Sequence, residues 1–179
     1  GLTVARAIID LLPSEDIVYF GDTSRYPYGP QPLEEVKSYS EQISDYLIAE
    51  HDVKMIVIAC NTASAAAEGD LRDSTEIPIV GVITPGAQAV AEVSSTKKIG
   101  VIGTVGTINS QAYDNAIKGI SPENIELVSV ACPGFVEFVE RGEFEGEQVR
   151  ILADRLLAPV IQADVDALLL GCTHYPYLA

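Results

Sequence analysis

The chain has 179 residues, of which 47% are hydrophobic and 21% are charged, and its formal net charge is −15. This length can bury a sizeable core in one or two compact units. The acidic balance argues against nucleic-acid binding, because like charges repel, and no apolar run approaches the roughly 20 residues that span a bilayer.

Strand-like and helix-like runs alternate along the chain, which predicts an α/β fold with parallel sheets covered by helices. The predicted helices cover Leu2 to Leu12, Leu33 to Leu47, Thr62 to Arg72, Pro85 to Val93, Val105 to Ile117, Phe135 to Arg141 and Glu147 to Ile161. The predicted strands cover Ile17 to Phe20, Met55 to Ala59, Ile77 to Val82, Ile99 to Ile102, Ile125 to Val130 and Asp166 to Leu170.

The polar run from Ser94 to Lys98 predicts a linker between two lobes. We therefore expect a first α/β lobe over residues 1–96 and a second over 97–179. The chain opens inside an amphipathic pattern and stops directly after a motif. We expect it to be truncated at both ends.

The three cysteines lie at positions 60, 132 and 172. An odd and sparse count argues against a disulfide framework, and the absence of a C-x-x-C pair argues against a zinc site. Each cysteine taken alone is most simply a small buried hydrophobic residue. We assign Cys132, which precedes Pro133, to structure.

Cys60 and Cys172 occur in two segments with the same pattern. In Ile56 to Thr62 and in Leu168 to His174, an apolar strand is followed by a small residue, a Cys and two hydrogen-bonding side chains. Ligands of open α/β sheets bind beyond the carboxyl ends of the strands, so the two thiols are expected to face each other across a cleft. Cys60 also precedes a helix, whose positive end we expect to lower the thiol pKa.

Two facing thiols suit the inversion of a stereocentre. A thiolate can remove a proton from one face while a thiol delivers a proton to the other, and the reverse reaction exchanges their roles. The weakly acidic α-proton of an amino acid requires stabilisation of the carbanionic state by hydrogen bonds and exclusion of water. Asn61, Thr62 and Thr173 stand beside the thiols and can donate such bonds.

Three further features have a functional and a structural interpretation. His174 can tune or protonate Cys172, or it is an ordinary satisfied histidine. The loop from Asp22 to Pro30, with two tyrosines and an arginine, is a binding loop or a plain surface loop. The run Gly103 to Thr107 opens a helix and can hold an anion, but it does not match G-x-G-x-x-G, so we do not assign a dinucleotide site.

The segments Asp22 to Gly29, Ala59 to Ala63 and Gly171 to Pro176 together resemble the glutamate racemases of the aspartate/glutamate racemase superfamily. The opening Gly1 to Val4 is similar to the tail of that family's first motif, whose Asp-Ser pair would lie before Gly1. The resemblance implies a racemase that needs neither pyridoxal phosphate nor a metal or other cofactor. It also implies two α/β lobes with the active site in the cleft between them.

The resemblance further implies roles for individual residues. Cys60 and Cys172 would be the two acid/base groups, assisted by His174 and by Glu140, although Glu137 is close enough to leave the last assignment open. The substrate-binding residues would be Tyr28, Gly29, Asn61, Thr62, Thr104, Thr107, Thr173 and His174.

The implied activity is the interconversion of L- and D-glutamate, which supplies D-glutamate for peptidoglycan synthesis in the bacterial cytoplasm. Glutamate would be the small-molecule partner, without nucleic acid or membrane, and a homodimer stays open. Three alternatives remain. They are a racemase acting on aspartate or a related amino acid, a non-catalytic glutamate-binding fragment, and a thiol redox protein that uses Cys60 and Cys172.

Overall fold

The computed structural model describes residues 1–120 and 125–179, and within them helices alternate with parallel strands. The helices are α1 (Leu2–Leu11), α2 (Leu33–His51), α3 (Asn61–Ser74), α4 (Ile83–Val93), α5 (Val105–Asn109), α6 (Ala112–Ile120), α7 (Phe135–Glu140) and α8 (Glu147–Gln162). The strands are β1 (Ile56–Ile58), β2 (Ile79–Gly81), β3 (Lys98–Gly103), β4 (Glu126–Ala131) and β5 (Ala167–Gly171), and a 3₁₀ helix (Tyr175–Leu178) follows β5.

The larger sheet has three parallel strands in the order β4-β3-β5. Side chains alternate between its two faces, as in any strand. Ile99 and Val101 of β3 are buried beneath α4 and α6, whereas Ile102 is buried on the opposite face with Phe135 of α7 and Val160 of α8. The sheet is thus covered by helices on both faces, as the alternation of elements predicts.

The smaller sheet pairs β1 with β2 in parallel. Ile56, Ile58 and Ile79 pack against Val36 of α2 and against α3, because the period of two sends alternate side chains to one face. The alanine-rich sequence of α3 favours a helix and lets its neighbours approach closely. Parallel strands end at the same edge of their sheet, so the residues after β1 and β2 lie together.

The polar segment between the two sheets is held in place by Asp166. The Ser94 hydroxyl donates to one carboxylate oxygen of Asp166 over 2.6 Å, and the N–H groups of Ser95 and Thr96 donate to the other over 2.7 and 2.6 Å. These hydrogen bonds, led by that of Ser94, hold the pKa of Asp166 below its usual range. Asp166 immediately precedes β5, so the segment is tied to the start of that strand. The lobe boundary between residues 96 and 97 stays a prediction.

One predicted strand is absent, and one predicted helix is divided in two. Residues 17–20 form no strand and are exposed, since β propensity alone cannot supply the ladder partner that a strand needs. The predicted helix Val105 to Ile117 is divided into α5 and α6 at Gln111, whose φ is +56°. At the break the Ser110 hydroxyl donates to the Thr107 carbonyl and accepts the Ala112 N–H, bonds that compete with those of a continuous helix.

The remaining predicted helices and strands are present, with ends that differ by a few residues. The helix predicted to begin at Pro85 begins at Ile83, which leaves Pro85 in the first turn, where its missing N–H costs no hydrogen bond. None of the helices within residues 1–120 and 125–179 is long and apolar enough to cross a membrane.

A buried carboxylate fastens α3 to β2. Glu68 accepts the Gly81 N–H over 3.0 Å and pairs with Arg72, which in turn donates to the Ile79 carbonyl over 3.0 Å. A Cβ at position 81 would lie 2.0 Å from the Glu68 carboxylate, so a side chain there would force Glu68 to move.

We predict that Glu68→Ala lowers the free energy of unfolding by about 2 kcal/mol, because it leaves the buried Gly81 N–H without an acceptor. Urea denaturation of the purified protein measures the effect. Glu92→Ala, on the exposed face of α4, is the control and should change stability by less than about 0.5 kcal/mol. Equal effects of the two substitutions would contradict the role assigned to Glu68.

Candidate active site

A cavity of about 170 Å³ lies where the carboxyl ends of strands from both sheets meet. Cys60 follows β1 of the smaller sheet, and Cys172 follows β5 of the larger one. The residues that line the cavity are Asp22, Tyr26, Pro27, Tyr28, Gly29, Cys60, Asn61, Thr62, Thr104, Val136, Cys172, Thr173 and His174. Most of these residues are among those predicted from the sequence.

Cys60 is the N-cap residue of α3. Burial raises the pKa of its thiol above the usual value, and this outweighs the backbone N–H groups of Ala63 and Thr62, which bond the sulfur and lower the pKa. The expectation that the helix end gives Cys60 a lowered pKa is therefore wrong. The first turn of α3 does supply the donors that stabilise a thiolate, but the dense surroundings cost the charged form more.

Cys172 has two acid/base neighbours in a row. Its Sγ lies 3.7 Å from His174 Nδ1, and His174 Nε2 lies 2.6 Å from a carboxylate oxygen of Glu140 at the end of α7. Burial raises the pKa of Cys172 to about 11. A carboxylate only accepts hydrogen bonds, so Glu140 favours the tautomer of neutral His174 that carries its proton on Nε2 and turns the Nδ1 lone pair toward the thiol.

The loop from Asp22 to Pro30 forms one wall of the cavity. The Tyr28 hydroxyl donates to Asp22 over 2.5 Å, and Arg25 pairs with the same carboxylate over 2.6 Å. Burial alone would raise the pKa of Asp22, but the bonds from Tyr28 and Arg25 outweigh it and lower the pKa. Gly29 accepts the Gly106 N–H of α5 over 2.9 Å. The loop is thus held against the larger sheet's side of the cavity.

Gly29 is required by the close approach of this loop. A Cβ at this position would lie 2.8 Å from Thr104 Cβ and 2.9 Å from Thr104 Cγ2. Such distances force a shift of the loop or of the start of α5.

Three buried threonine hydroxyls join the two sides of the cavity. Thr62 Oγ1 of α3 lies 2.9 Å from Thr104 Oγ1 and 3.2 Å from Thr107 Oγ1, and the last two lie 3.0 Å apart. Thr104 is also the N-cap of α5 and accepts the Thr107 N–H. Thr62 and Thr104 line the cavity, whereas Thr107 lies behind them.

Some lining residues were not singled out from the sequence. Asp22 and Tyr26 belong to the loop that was flagged as a whole, so a signal for them existed. Burial and the charges of Glu140 and Glu137 raise the pKa of Tyr26 to about 12. Val136 of α7 had no signal, because an apolar residue on a helix is normally read as core. Cys132 is buried in the core beside the cavity and does not line it.

Comparison with known sequence families places the chain in one of them. The sequence model of the family described as Asp/Glu/Hydantoin racemase matches residues 2–179. The chain belongs to this racemase family. Its two thiol segments follow strands of different sheets, and both line the cavity described above.

The proteins of high identity to the chain include glutamate racemases from several bacteria. One from Parafrankia sp. (strain EAN1pec) is 50% identical over 99% of this chain. Among solved structures, a glutamate racemase isoform of Bacillus anthracis has a TM-score of 0.94 at 44% identity, and that of Francisella tularensis in complex with D-glutamate has a TM-score of 0.92 at 40% identity. The matches cover 63% of the Parafrankia protein and 66% of each of the other two chains, and 99% of this chain in every case.

We predict that Cys172 alkylation by iodoacetamide accelerates about tenfold per pH unit from pH 7 to 10, because only the thiolate reacts and its pKa is about 11. Peptide mass spectrometry after timed quenching resolves the cysteines. N-acetylcysteinamide, which is blocked at both ends, is the control, and its rate should level off above pH 9, near the ordinary thiol pKa of about 8.5. A Cys172 rate that levels off with the control would contradict the raised pKa.

Proposed function

We propose that this chain carries the active site of a cofactor-independent racemase that interconverts L- and D-glutamate by proton transfer at Cα between Cys60 and Cys172. The observation that supports it is a single cavity with two thiols supplied by strand ends of separate sheets. Inversion requires one group to take a proton from one face of Cα and another to deliver one to the opposite face.

The proposed reaction balances with two thiols and no other reactant. One sulfur enters as thiolate and takes the α-proton, and the C–H electron pair remains on the substrate as a carbanionic state. The opposite thiol then gives its proton to the other face of Cα and becomes the thiolate. The reverse direction exchanges these roles.

The thiolate needs support, because burial raises the pKa of both sulfurs. A bound amino acid brings an ammonium group, and a nearby positive charge lowers a thiol pKa. On one side the N–H groups of Thr62 and Ala63 stabilise the Cys60 thiolate. On the other, His174 held by Glu140 accepts a proton from Cys172. These contacts support catalytic roles for His174 and Glu140.

The carbanionic state needs hydrogen bonds to the substrate carboxylates in a site that excludes water. Asn61, Thr62, Thr104 and Thr173 line the cavity with neutral donors, and we propose that they bind the substrate together with Tyr28, Gly29 and His174. Thr107 acts from behind through its bonds to Thr62 and Thr104. We choose glutamate over aspartate because curated relatives of 44% and 50% identity are glutamate racemases, as is a solved structure of 40% identity in complex with D-glutamate.

We further propose that the product D-glutamate enters peptidoglycan precursors in the bacterial cytoplasm. The identity of 44% to 50% with curated glutamate racemases supports this role. A homodimer is the assembly to be tested, by analytical ultracentrifugation.

We predict that Cys60→Ser and Cys172→Ser each lower racemisation of glutamate by at least about 100-fold, because a hydroxyl is a far weaker acid than a thiol and general acid/base catalysis contributes about 10²–10⁴. Polarimetry and solvent-deuterium incorporation at Cα, measured with L- and D-glutamate and with L-aspartate, report the activity and the substrate.

Cys132→Ser, a buried cysteine outside the cavity, is the matched control and should retain activity. Retained racemisation in either active-site variant would contradict the two-thiol mechanism. Binding of glutamate without any exchange in the wild-type protein would favour the non-catalytic alternative, and rapid formation of a Cys60–Cys172 disulfide would favour a redox role.

A further inference from the structure

A buried tyrosine that the proposed reaction does not use links the two thiol segments. Tyr113 stands near the start of α6 and is only 3% exposed. Its hydroxyl donates to Asn61 Oδ1 over 2.6 Å, across 52 positions of the sequence. Asn61 immediately follows Cys60 and begins α3. A residue of the larger sheet's helices therefore reaches the Cys60 segment directly.

The same ring lies against the segment that carries Cys172. A Cβ at Gly171, the residue before Cys172, would lie 3.0 Å from Cε2 of the Tyr113 ring. Burial and the charge of Cys172 raise the pKa of Tyr113, so the hydroxyl keeps its proton and stays a donor. One rigid side chain thus contacts the residue after one thiol and the residue before the other.

The hydrogen bond also determines how the Asn61 amide is turned. An amide oxygen that accepts from Tyr113 leaves the amide nitrogen on the other side of the group. Within the described residues, this nitrogen donates to no side chain or backbone atom, and no buried side-chain nitrogen or oxygen lacks a partner. Asn61 lines the cavity, so the nitrogen has the accessible space of the cavity to donate into.

We propose that Tyr113 is a positioning residue, which turns the Asn61 nitrogen toward the bound substrate and sets the spacing between the Cys60 and Cys172 segments. This role rests on the proposed racemase function. A donor held before the substrate arrives costs no ordering during the reaction. Without the Tyr113 hydroxyl, the Asn61 amide can rotate and turn its oxygen toward a substrate carboxylate. The two oxygens would then repel each other.

The test is Tyr113→Phe in the purified protein, since phenylalanine keeps the ring that fills the core. We expect kcat/KM for glutamate to fall about tenfold in both directions, mainly through KM, as one oriented hydrogen bond is lost. The same substitution in an Asn61→Ala background should cause no further loss, because Tyr113 acts through Asn61. An additive double variant would overturn the proposal.

Tyr175→Phe is the matched control. Tyr175 is 2% exposed, and its hydroxyl donates to the Cys132 carbonyl over 3.1 Å. The control should lose thermal stability to a similar extent as Tyr113→Phe but should keep its KM. A Tyr113→Phe variant with unchanged kinetics, or with the kinetics of the control, would overturn the positioning role.

A measurement that needs no turnover separates this proposal from the proposed function. The Asn61 side-chain amide signal, assigned in ¹⁵N NMR spectra by its absence in Asn61→Ala, should shift in Tyr113→Phe and stay in place in Tyr175→Phe. Lack of α-proton exchange in the wild-type protein would refute the racemase function alone. An Asn61 signal that does not respond to Tyr113→Phe would refute the positioning role, whatever the activity.

Discussion

The separation of two sulfur atoms across one cavity is the constraint on which the site depends. Cys60 and Cys172 are attached to different sheets, so no single strand or helix determines their distance. The contacts that do so cross between the sheets, namely the hydroxyl triangle of Thr62 with Thr104 and Thr107, and the bond from Tyr113 to Asn61. These contacts are short, buried and uncharged, so they are insensitive to salt and to pH near neutrality.

Burial makes the thiolates of Cys60 and Cys172 rarer but also more basic. It raises the pKa of both cysteines, which makes each thiolate rarer and also a stronger base once formed. An amino-acid α-proton is so weakly acidic that a strong base is an advantage, provided that the charge is formed only when substrate is present. Thiols that stay protonated until the ammonium group of a substrate enters are also less readily oxidised, because the thiolate is the reactive form.

The sequence indicates which residues meet but not how they are arranged. Cys60 and Cys172 follow apolar strands, and the rule that ligands bind at the carboxyl ends of parallel strands was enough to bring them to one cleft. The predicted direction of the Cys60 pKa shift was wrong, because the sequence shows that a helix begins after Cys60 but does not show how densely the sulfur is packed. The hydrogen bond from Tyr113 to Asn61 was not predicted either, because a tyrosine on an amphipathic helix is normally interpreted as a core residue. The position of Tyr113 follows from the break at Gln111, beside which the Ser110 hydroxyl bonds the backbone of Thr107 and Ala112.

The charge of the chain constrains how an acidic substrate can be held. The net charge is −15, and none of the described residues that line the cavity is Lys or Arg. Arg25 belongs to the loop that forms one wall of the cavity, but its guanidinium group is paired with Asp22. The dicarboxylic substrate that we propose would therefore be bound by hydroxyl, amide and backbone N–H donors, whose strength depends on orientation rather than on long-range attraction. Such donors bind a carboxylate only when their N–H or O–H groups are directed at it. Affinity in such a site therefore depends also on the residues that orient the donors.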